Sequence, residues 1–556
     1  MGIFVSVGKT VECVLIALCF GAFLTMSSAK LLGALQGCNY RSGKLFRWAA
    51  KRNNMSFERL ALLGMLCVLS SAIVSLCFSF AGEWAAVVGL VPYAVFFGLY
   101  IYSDGKIALR VPAVRTKRFK RLEAVLFVVC AVISYIINTL LNFADEVWGA
   151  PLFSVLRYCP LAIMPLLLIP MICLANEIAK IYEVPHNRTY IKKATEKIAS
   201  SDITVIGITG SYGKTSTKNI LSAMLGKKFR VLTTPRSHNT PIGIALAVNA
   251  NDLKNFDIFI AEMGARNVGD IAELCEICPP DYSLITGICA QHLETFESLD
   301  NIIKAKGEIL SATRKKAYLA ADCAEYFKDS PCECETCSCI SEVEAGADGT
   351  SFTLTLGGES VRVKTRLLGA HCAYNIGLAA GLAFELGVRL KDIASAAEEL
   401  EFVEHRLQLT TSNGINILDD GYNANVKGAR AALSVLRAFG GRKIIVTPGI
   451  VELGILEEKE NREFGELLAG LDFVILVGDT LVTPVKEGYL SAGGDPEKLA
   501  VRETLKDAQT ELKKILAQGD TVLFLNDLPD IYYFYAVKNG GRAHMVMRRR
   551  ASKINT

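Results

Sequence analysis

The sequence predicts a multi-span α-helical membrane region followed by two wound α/β domains, the second of them Rossmann-like. Three observations predict this. Long apolar runs concentrate before Asn176, short β-rich runs alternate with helical patterns from about Ser200, and a lysine-tipped glycine loop closes the first of those runs.

The N-terminal region, 1–175, reads as about five transmembrane helices, near 10–29, 60–80, 84–102, 122–143 and 153–175. A hydrocarbon layer needs roughly 20 apolar residues per helix, which these runs supply. A secretory signal would explain only the first, and Glu12 stands before that run without a basic leader. Buried core helices are the other reading of such runs, but several in one region exceed the needs of a single water-soluble domain. Charge then sets the orientation. Arg41, Lys44, Arg47, Lys51, Arg52 and Arg59 fall between spans one and two, and Lys106, Arg110, Arg115, Lys117, Arg118, Lys120 and Arg121 between spans three and four. Glu83, Asp145 and Glu146 occupy the alternate loops. The expectation is a multi-pass cell-membrane protein with a cytoplasmic catalytic body. The basic bands read as topology signals in preference to a site for anionic lipid head groups, and membrane lipids are expected partners. A formal net charge of +4 over the whole chain gives no reason to invoke nucleic acid.

Residues 176–199 are expected to connect this region to a central domain at 200–400 and a C-terminal domain at 401–556. In the latter, Lys443–Thr447, Phe473–Val477 and Thr521–Leu525 are short buried-strand candidates separated by helical stretches. Arg548, Arg549 and Arg550 read as a solvated tail.

The strongest chemical signal is the loop Gly207–Ser216. Ile203 to Ile208 should be a strand, Gly210, Ser211 and Gly213 should turn backbone N–H groups toward phosphate oxygens, and Thr215 with Ser216 should open a helix. Lys214 can reach the outer phosphates and Thr215 can place its hydroxyl on Mg²⁺, so ATP and Mg²⁺ are the expected cofactors. The spacing departs from the common phosphate loop, with Ile208 where glycine is expected and Gly207 one residue early. Glu262 ends the apolar run from Phe256, which puts a carboxylate at a strand's C-terminal end beside the loop. His292 follows a second apolar run. Taken alone, His292 fits a structural histidine and Glu262 a helix cap or surface charge. Their joint placement after strand-like segments favours a site.

With these residues in place, the chain resembles the Mur ligases, most closely the members that add D-Ala-D-Ala to UDP-MurNAc-tripeptide. The resemblance covers roughly 200–480 through HNTPIG at 238–243, EMGAR at 262–266, HLETF at 292–296, AKGEI at 305–309, GAHCAYN at 369–375, HRL at 405–407, DDGYNAN at 419–425 and VELG at 451–454. It implies an ATP-dependent carbon–nitrogen ligase that joins a carboxylate to an amine through an acyl phosphate, releasing ADP and phosphate. It implies catalytic roles for Lys214, Glu262, His292 and Lys306, and a metal site of Thr215, Glu262, His292 and Lys306. Lys306 matches a position carbamylated by CO₂ in several members, although an unmodified lysine there reads equally as a solvent-facing helix residue. The resemblance assigns Asn375 to the base, Arg406 to phosphate and Asp420 to the nucleotide's surroundings. Asp420 also suits a helix cap. Asn239 and Thr240 become substrate-contact candidates, with Tyr422, Asn423 and Asn425 in the neighbouring block. The asparagines also suit turns.

Three departures concern substrates. Membrane spans stand where the family carries a UDP-sugar domain, and Asn526, Asp527, Leu528 and Pro529 replace a basic, serine-containing strand end; His238 also replaces an asparagine. The leading expectation is therefore ligation of an amino acid or peptide amine onto a carboxylate of a cell-envelope precursor, lipid-linked in the reading that explains the spans. The alternatives are D-Ala-D-Ala addition to UDP-MurNAc-tripeptide by a membrane-anchored enzyme, and a nucleotide-binding sensor without ligation. Of 17 cysteines, Cys332, Cys334, Cys337 and Cys339 form a CxCxxCxC cluster of the residue type that binds Zn²⁺. Four ligands within eight residues lack the usual separated pairs, so a reduced loop is favoured over metal.

Overall fold

The computed structural model describes residues 2–38, 40–50, 63–67, 69–70, 73–74, 85–105, 113–148, 167–236, 238–422, 425–478 and 481–526. They fall into two compact units that divide between Pro185 and His186.

The first unit is helical, with helices Gly2–Ser27, Ala29–Gly37, Ser42–Ala50, Ala85–Gly105 and Lys117–Trp148, and the beginning of Leu168–Ala199. Phe20, Leu24, Leu35, Phe97, Leu126, Cys130 and Ile172 share its core. Asn176 Nδ2 donates to the Tyr40 carbonyl at 2.9 Å, and the Arg118 guanidinium lies 3.8 Å over the Tyr40 ring.

The expectation of a multi-span membrane domain, and with it the multi-pass localisation, is corrected here. Among the described residues one helix, Lys117–Leu141, is long and apolar enough to cross a membrane, and at most one more if the bent pair Cys13–Ser27 and Ala29–Gly37 counts as a span. The physical reason lies in what a hydropathy window averages over. The first run bends by 51° between its two helices, and the last apolar run opens a helix that continues through Glu177 and Lys180 to Ala199. The third expected span coincides with a helix that contains Pro92, while the expected span 60–80 lies largely, and 153–175 in greater part, outside the described residues. Counting an odd number of spans set the inside and outside faces, so that assignment falls with the count.

The second unit carries the α/β architecture. Its first sheet contains β1 (Thr204–Thr209), β2 (Val231–Thr233), β3 (Ile258–Glu262), β4 (Tyr282–Ile285), β5 (Lys316–Leu319) and β6 (Glu333–Thr336), in the order β2-β3-β1-β4-β5-β6 with every pair parallel. Parallel strands buried on both faces need apolar residues at consecutive positions, and β1 and β3 supply them. Ile206, Ile208, Ile258, Ile260 and Leu284 face helices Lys214–Leu225 and Ala370–Glu385, whereas Val205, Phe259, Ala261 and Ile285 face the opposite layer. Period-two alternation therefore builds two cores from one strand. From β1 the chain crosses to β2 at the sheet edge and returns through β3, and only then passes to β4 on the other side of β1, so the winding reverses around β1, at whose carboxyl end such sheets place their ligands.

An antiparallel sheet, β7 (Ile340–Gly346), β8 (Gly349–Leu356) and β9 (Glu359–Thr365), packs Phe352, Leu354 and Val363 onto the same helical layer. The last sheet contains β10 (Gln408–Ser412), β11 (Ile415–Asp420), β12 (Lys443–Thr447), β13 (Phe473–Val477), β14 (Leu499–Arg502) and β15 (Thr521–Leu525), ordered β10-β11-β15-β12-β13-β14. Only β10 against β11 is antiparallel among these pairs. The three strand candidates read from the sequence of this region coincide with β12, β13 and β15.

Candidate active site

The glycine loop leaves β1 at Thr209, and two of its residues must be glycine. Gly210 has φ +145°, and a Cβ there would overlap Thr286 Oγ1; Gly213 has φ +76°, and its Cβ would lie 3.0 Å from Asn375 Oδ1. Gly213 caps helix Lys214–Leu225, so the helix's positive end opens onto the loop. Ser211 holds the loop to the strand beyond, donating from N to the Gly287 carbonyl at 2.8 Å and from Oγ to the Cys289 carbonyl at 3.1 Å. Lys214 folds back over the loop, Nζ donating to the Gly210 carbonyl at 2.6 Å. Burial pulls its pKa below the ordinary range, opposed by Glu262 and reinforced by Arg406.

Glu262 gathers the polar groups on the other side. Its buried carboxylate accepts from Thr215 Oγ1 at 3.0 Å and Asn239 Nδ2 at 3.2 Å, and pairs with the buried Lys218 ammonium at 3.1 Å. Hard oxygen donors from Thr215 and Glu262 thus meet at the end of the phosphate-loop helix, a donor set that suits Mg²⁺. His292 stands at φ +55° before the short helix Leu293–Phe296. Its Nδ1 is hydrogen-bonded to the Glu452 carboxylate, which Arg266 Nη1 also approaches at 3.4 Å, and Leu293 N donates to the Glu452 carbonyl at 3.0 Å. Burial holds His292 below its ordinary pKa, against the raising effect of Glu452. Lys306, in helix Leu299–Ala312, is 3% exposed and lies 5.8 Å from the Phe296 ring centre. Burial and the nearby Lys214 charge drive its pKa well below the usual ammonium range. Among the described residues nothing accepts a hydrogen bond from its Nζ.

Several of the remaining residues named from the sequence line a cavity of about 700 Å³, whereas Thr240 and Tyr422 are not in its wall. Gly213, Ser216, Asn375, Arg406, Asp420 and Asn425 are in its wall. Arg406 Nη1 donates to the Tyr422 carbonyl at 2.9 Å, and its guanidinium lies 4.6 Å over the Tyr422 ring. Burial pushes Asp420 up to about 6, even though it accepts from Leu407 N at 3.2 Å and lies near Arg406. Asn425 and Thr240 are helix N-caps, accepting from Gly428 N at 2.8 Å and Gly243 N at 3.3 Å. Asn423 lies outside the described residues. Cys332 and Cys334 have sulfurs 3.9 Å apart, Cys337 and Cys339 3.5 Å apart, and among the described residues no group of three or more His, Cys, Asp or Glu is arranged to hold a metal.

Sequence reasoning assigned no role to three groups here. Lys218 follows Lys214 by one helical turn, but that spacing alone does not join it to Glu262. Glu452 sits inside a quoted motif, yet nothing in the sequence joins it to a histidine 160 positions earlier. Lys427, in the first turn of helix Val426–Ala438, pairs with Asp322 at 2.8 Å, and Asp322 also accepts from the Tyr212 hydroxyl.

A phosphate-type glycine loop at a parallel-sheet crevice, roofed by a second wound α/β domain, defines a nucleotide-dependent enzyme. Residues 208–383 match the family described as the Mur ligase middle domain, and residues 405–526 match the Mur ligase glutamate ligase domain. The UDP-N-acetylmuramoyl-tripeptide--D-alanyl-D-alanine ligase of Bacillus subtilis is 30% identical over 339 residues, covering 58% of this chain and 72% of that relative. Its Escherichia coli counterpart is 30% identical, covering 58% and 73%. Among solved structures, MurF of Acinetobacter baumannii aligns at TM-score 0.57 and 26% identity over 61% of this chain and 77% of that one. MurF ligase of Thermotoga maritima in complex with ADP aligns at 0.55 and 27%, over 62% and 81%. The chain belongs to the Mur ligase family. It is an ATP- and Mg²⁺-dependent carbon–nitrogen ligase.

Proposed function

We propose that this enzyme adds D-Ala-D-Ala to the terminal carboxylate of a UDP-MurNAc-tripeptide. The observation that carries the reading is the glycine loop with Lys214 folded onto its Gly210 carbonyl and Thr215 bonded to Glu262 beside it, in a chain whose 30%-identical relatives are ligases of that name.

In this reading the substrate carboxylate attacks the γ-phosphorus of ATP, giving an acyl phosphate and ADP; the dipeptide amine then attacks the acyl carbon and expels phosphate. Lys214 and the N–H groups of the glycine loop and helix end hold the phosphates in line. Ser216, Asn375, Arg406 and Asp420 hold the rest of the nucleotide in the cavity they line. Thr215, Glu262, His292 and a carbamylated Lys306 would hold Mg²⁺, which would offset the charge on the phosphoryl oxygens. Burial favours the neutral Lys306 amine, the form that adds CO₂ to give a carbamate and a proton. Glu452 and Lys427, both from the second α/β domain, tie to His292 and Asp322 of the first and so link closure to assembly of the site. Asn239, placed by Glu262, and Thr240, Tyr422, Asn423 and Asn425 are the residues we assign to the substrates.

A lipid-linked acceptor remains the competing reading, favoured by the candidate span Lys117–Leu141. Purified protein should be offered UDP-MurNAc-tripeptide, D-Ala-D-Ala and ATP, and separately a butanol-extracted lipid-linked precursor. Formation of the UDP-pentapeptide with ADP and phosphate supports the proposal. Turnover of the lipid-linked pool alone overturns it. ATP binding without any ligation product would likewise overturn it.

A further inference from the structure

The thiols singled out by the sequence take no part in ligation, yet one of them, Cys337, stands in the wall of the nucleotide cavity with Cys339 behind it. Strand β6 ends at Thr336 and β7 begins at Ile340, and Cys337 and Cys339 occupy the first and third of the three residues between them. Residues two apart in an extended chain share a side. Their sulfurs accordingly lie 3.5 Å apart. Cys337 lines the cavity together with Ser216 and Asn375, whereas neither Cys332 nor Cys334 is among the described residues in its wall. Both Cys337 and Cys339 also touch helix Ala370–Glu385, which carries Asn375. Cys339 Sγ donates to the Gly377 carbonyl at 3.4 Å, and a Cβ on Gly377 would come within 3.2 Å of Cys337 Sγ.

We propose that Cys337 and Cys339 form a reversible dithiol–disulfide site, reactive toward low-molecular-weight disulfides, whose oxidation weakens ATP binding. The inference rests on this cavity taking the nucleotide. In the first step the Cys337 thiolate attacks one sulfur of a disulfide RSSR, forming a mixed disulfide and releasing RS⁻. Cys339 then loses its proton to solvent and attacks the Cys337 sulfur, expelling a second RS⁻. The protein dithiol is oxidised by two electrons and RSSR is reduced to two RSH. Cys337 suits the attacking role because the Cys339 S–H, turning from the Gly377 carbonyl to the Cys337 sulfur 3.5 Å away, stabilises the thiolate and holds the Cys337 pKa below the ordinary thiol range. Closing a 3.5 Å gap to the roughly 2.05 Å of a disulfide must move at least one sulfur. That movement removes the Cys339 bond to Gly377 and alters the seat of the helix that presents Asn375.

The full-length protein should be incubated with oxidised glutathione, mapped by mass spectrometry, and assayed for its ATP KM before oxidation, after it, and after dithiothreitol. We expect a Cys337–Cys339 bond whose formation is slowed by saturating ATP, and an ATP KM about tenfold higher that dithiothreitol restores, equivalent to about 1.4 kcal/mol. Cys339→Ser should trap glutathione on Cys337 while keeping the parent ATP KM when reduced. A bond confined to Cys332 and Cys334, or a Cys337–Cys339 bond that leaves the ATP KM unchanged, overturns the inference. Reduced Asn375→Ala tests the cavity separately. A raised ATP KM in that variant beside an unaltered oxidised enzyme refutes the thiol site alone, whereas an unaltered Asn375→Ala removes the cavity assignment.

Discussion

Replacing Glu452 by Gln should lower kcat and move the acid limb of the pH profile in a defined direction. Glu452 is 7% exposed, receives His292 Nδ1 and Arg266, and belongs to the domain opposite the glycine loop. The amide keeps the shape and removes the charge. A hydrogen bond to a charged group contributes about 1.5–3 kcal/mol, so kcat should fall by roughly 10- to 150-fold if the bond holds His292 in its working orientation. The pH effect has a fixed sign. Burial lowers the His292 pKa and Glu452 raises it, with Arg266 and Lys214 the other charges that face the ring. Removing the Glu452 charge must lower the pKa further. If neutral His292 is the working form, the acid limb shifts to lower pH while the plateau drops. Steady-state kcat across pH, with ATP KM alongside, reads both effects. An unchanged plateau with an unmoved acid limb would refute the assigned coupling, and equal loss of folded protein would show Glu452 to be structural only.

Lys214→Ala should reduce ADP release by about 10³-fold, the usual scale for losing a preorganised charge at a transferring phosphoryl group, with circular dichroism unchanged. Asn375→Ala should raise the ATP KM about tenfold, with a smaller effect on kcat, for loss of a contact worth about 1.4 kcal/mol. Carbonate-depleted enzyme should lose activity that bicarbonate restores, and ¹³C-bicarbonate should give a carbamate NMR signal absent from Lys306→Gln. Activity indifferent to carbonate would remove the carbamate.

Much of the α/β body was legible because its strands are short, apolar and buried on both faces. The expected strand Ile203–Ile208 and the observed Thr204–Thr209 differ by one residue. Glu262 ends β3, where the run from Phe256 placed it. Contacts that depend on tertiary placement were not legible. Lys218 looks like any exposed helix lysine until β3 brings the Glu262 carboxylate to within 3.1 Å. Lys306 is likewise identical in sequence to a solvated residue, and only the packing of its helix buries it. The N-terminal region misled for a related reason. Hydropathy records how apolar a run is, not where its helix bends or how far it continues into charged residues such as Glu177 and Lys180.

The central claim is ligation through an acyl phosphate, and oxygen tracing tests it most directly. With the substrate carboxylate labelled with ¹⁸O, the chain should transfer one labelled oxygen to the released phosphate and form ADP in equal amount to the amide. Label appearing in AMP, or phosphate released without label during amide formation, would contradict the account.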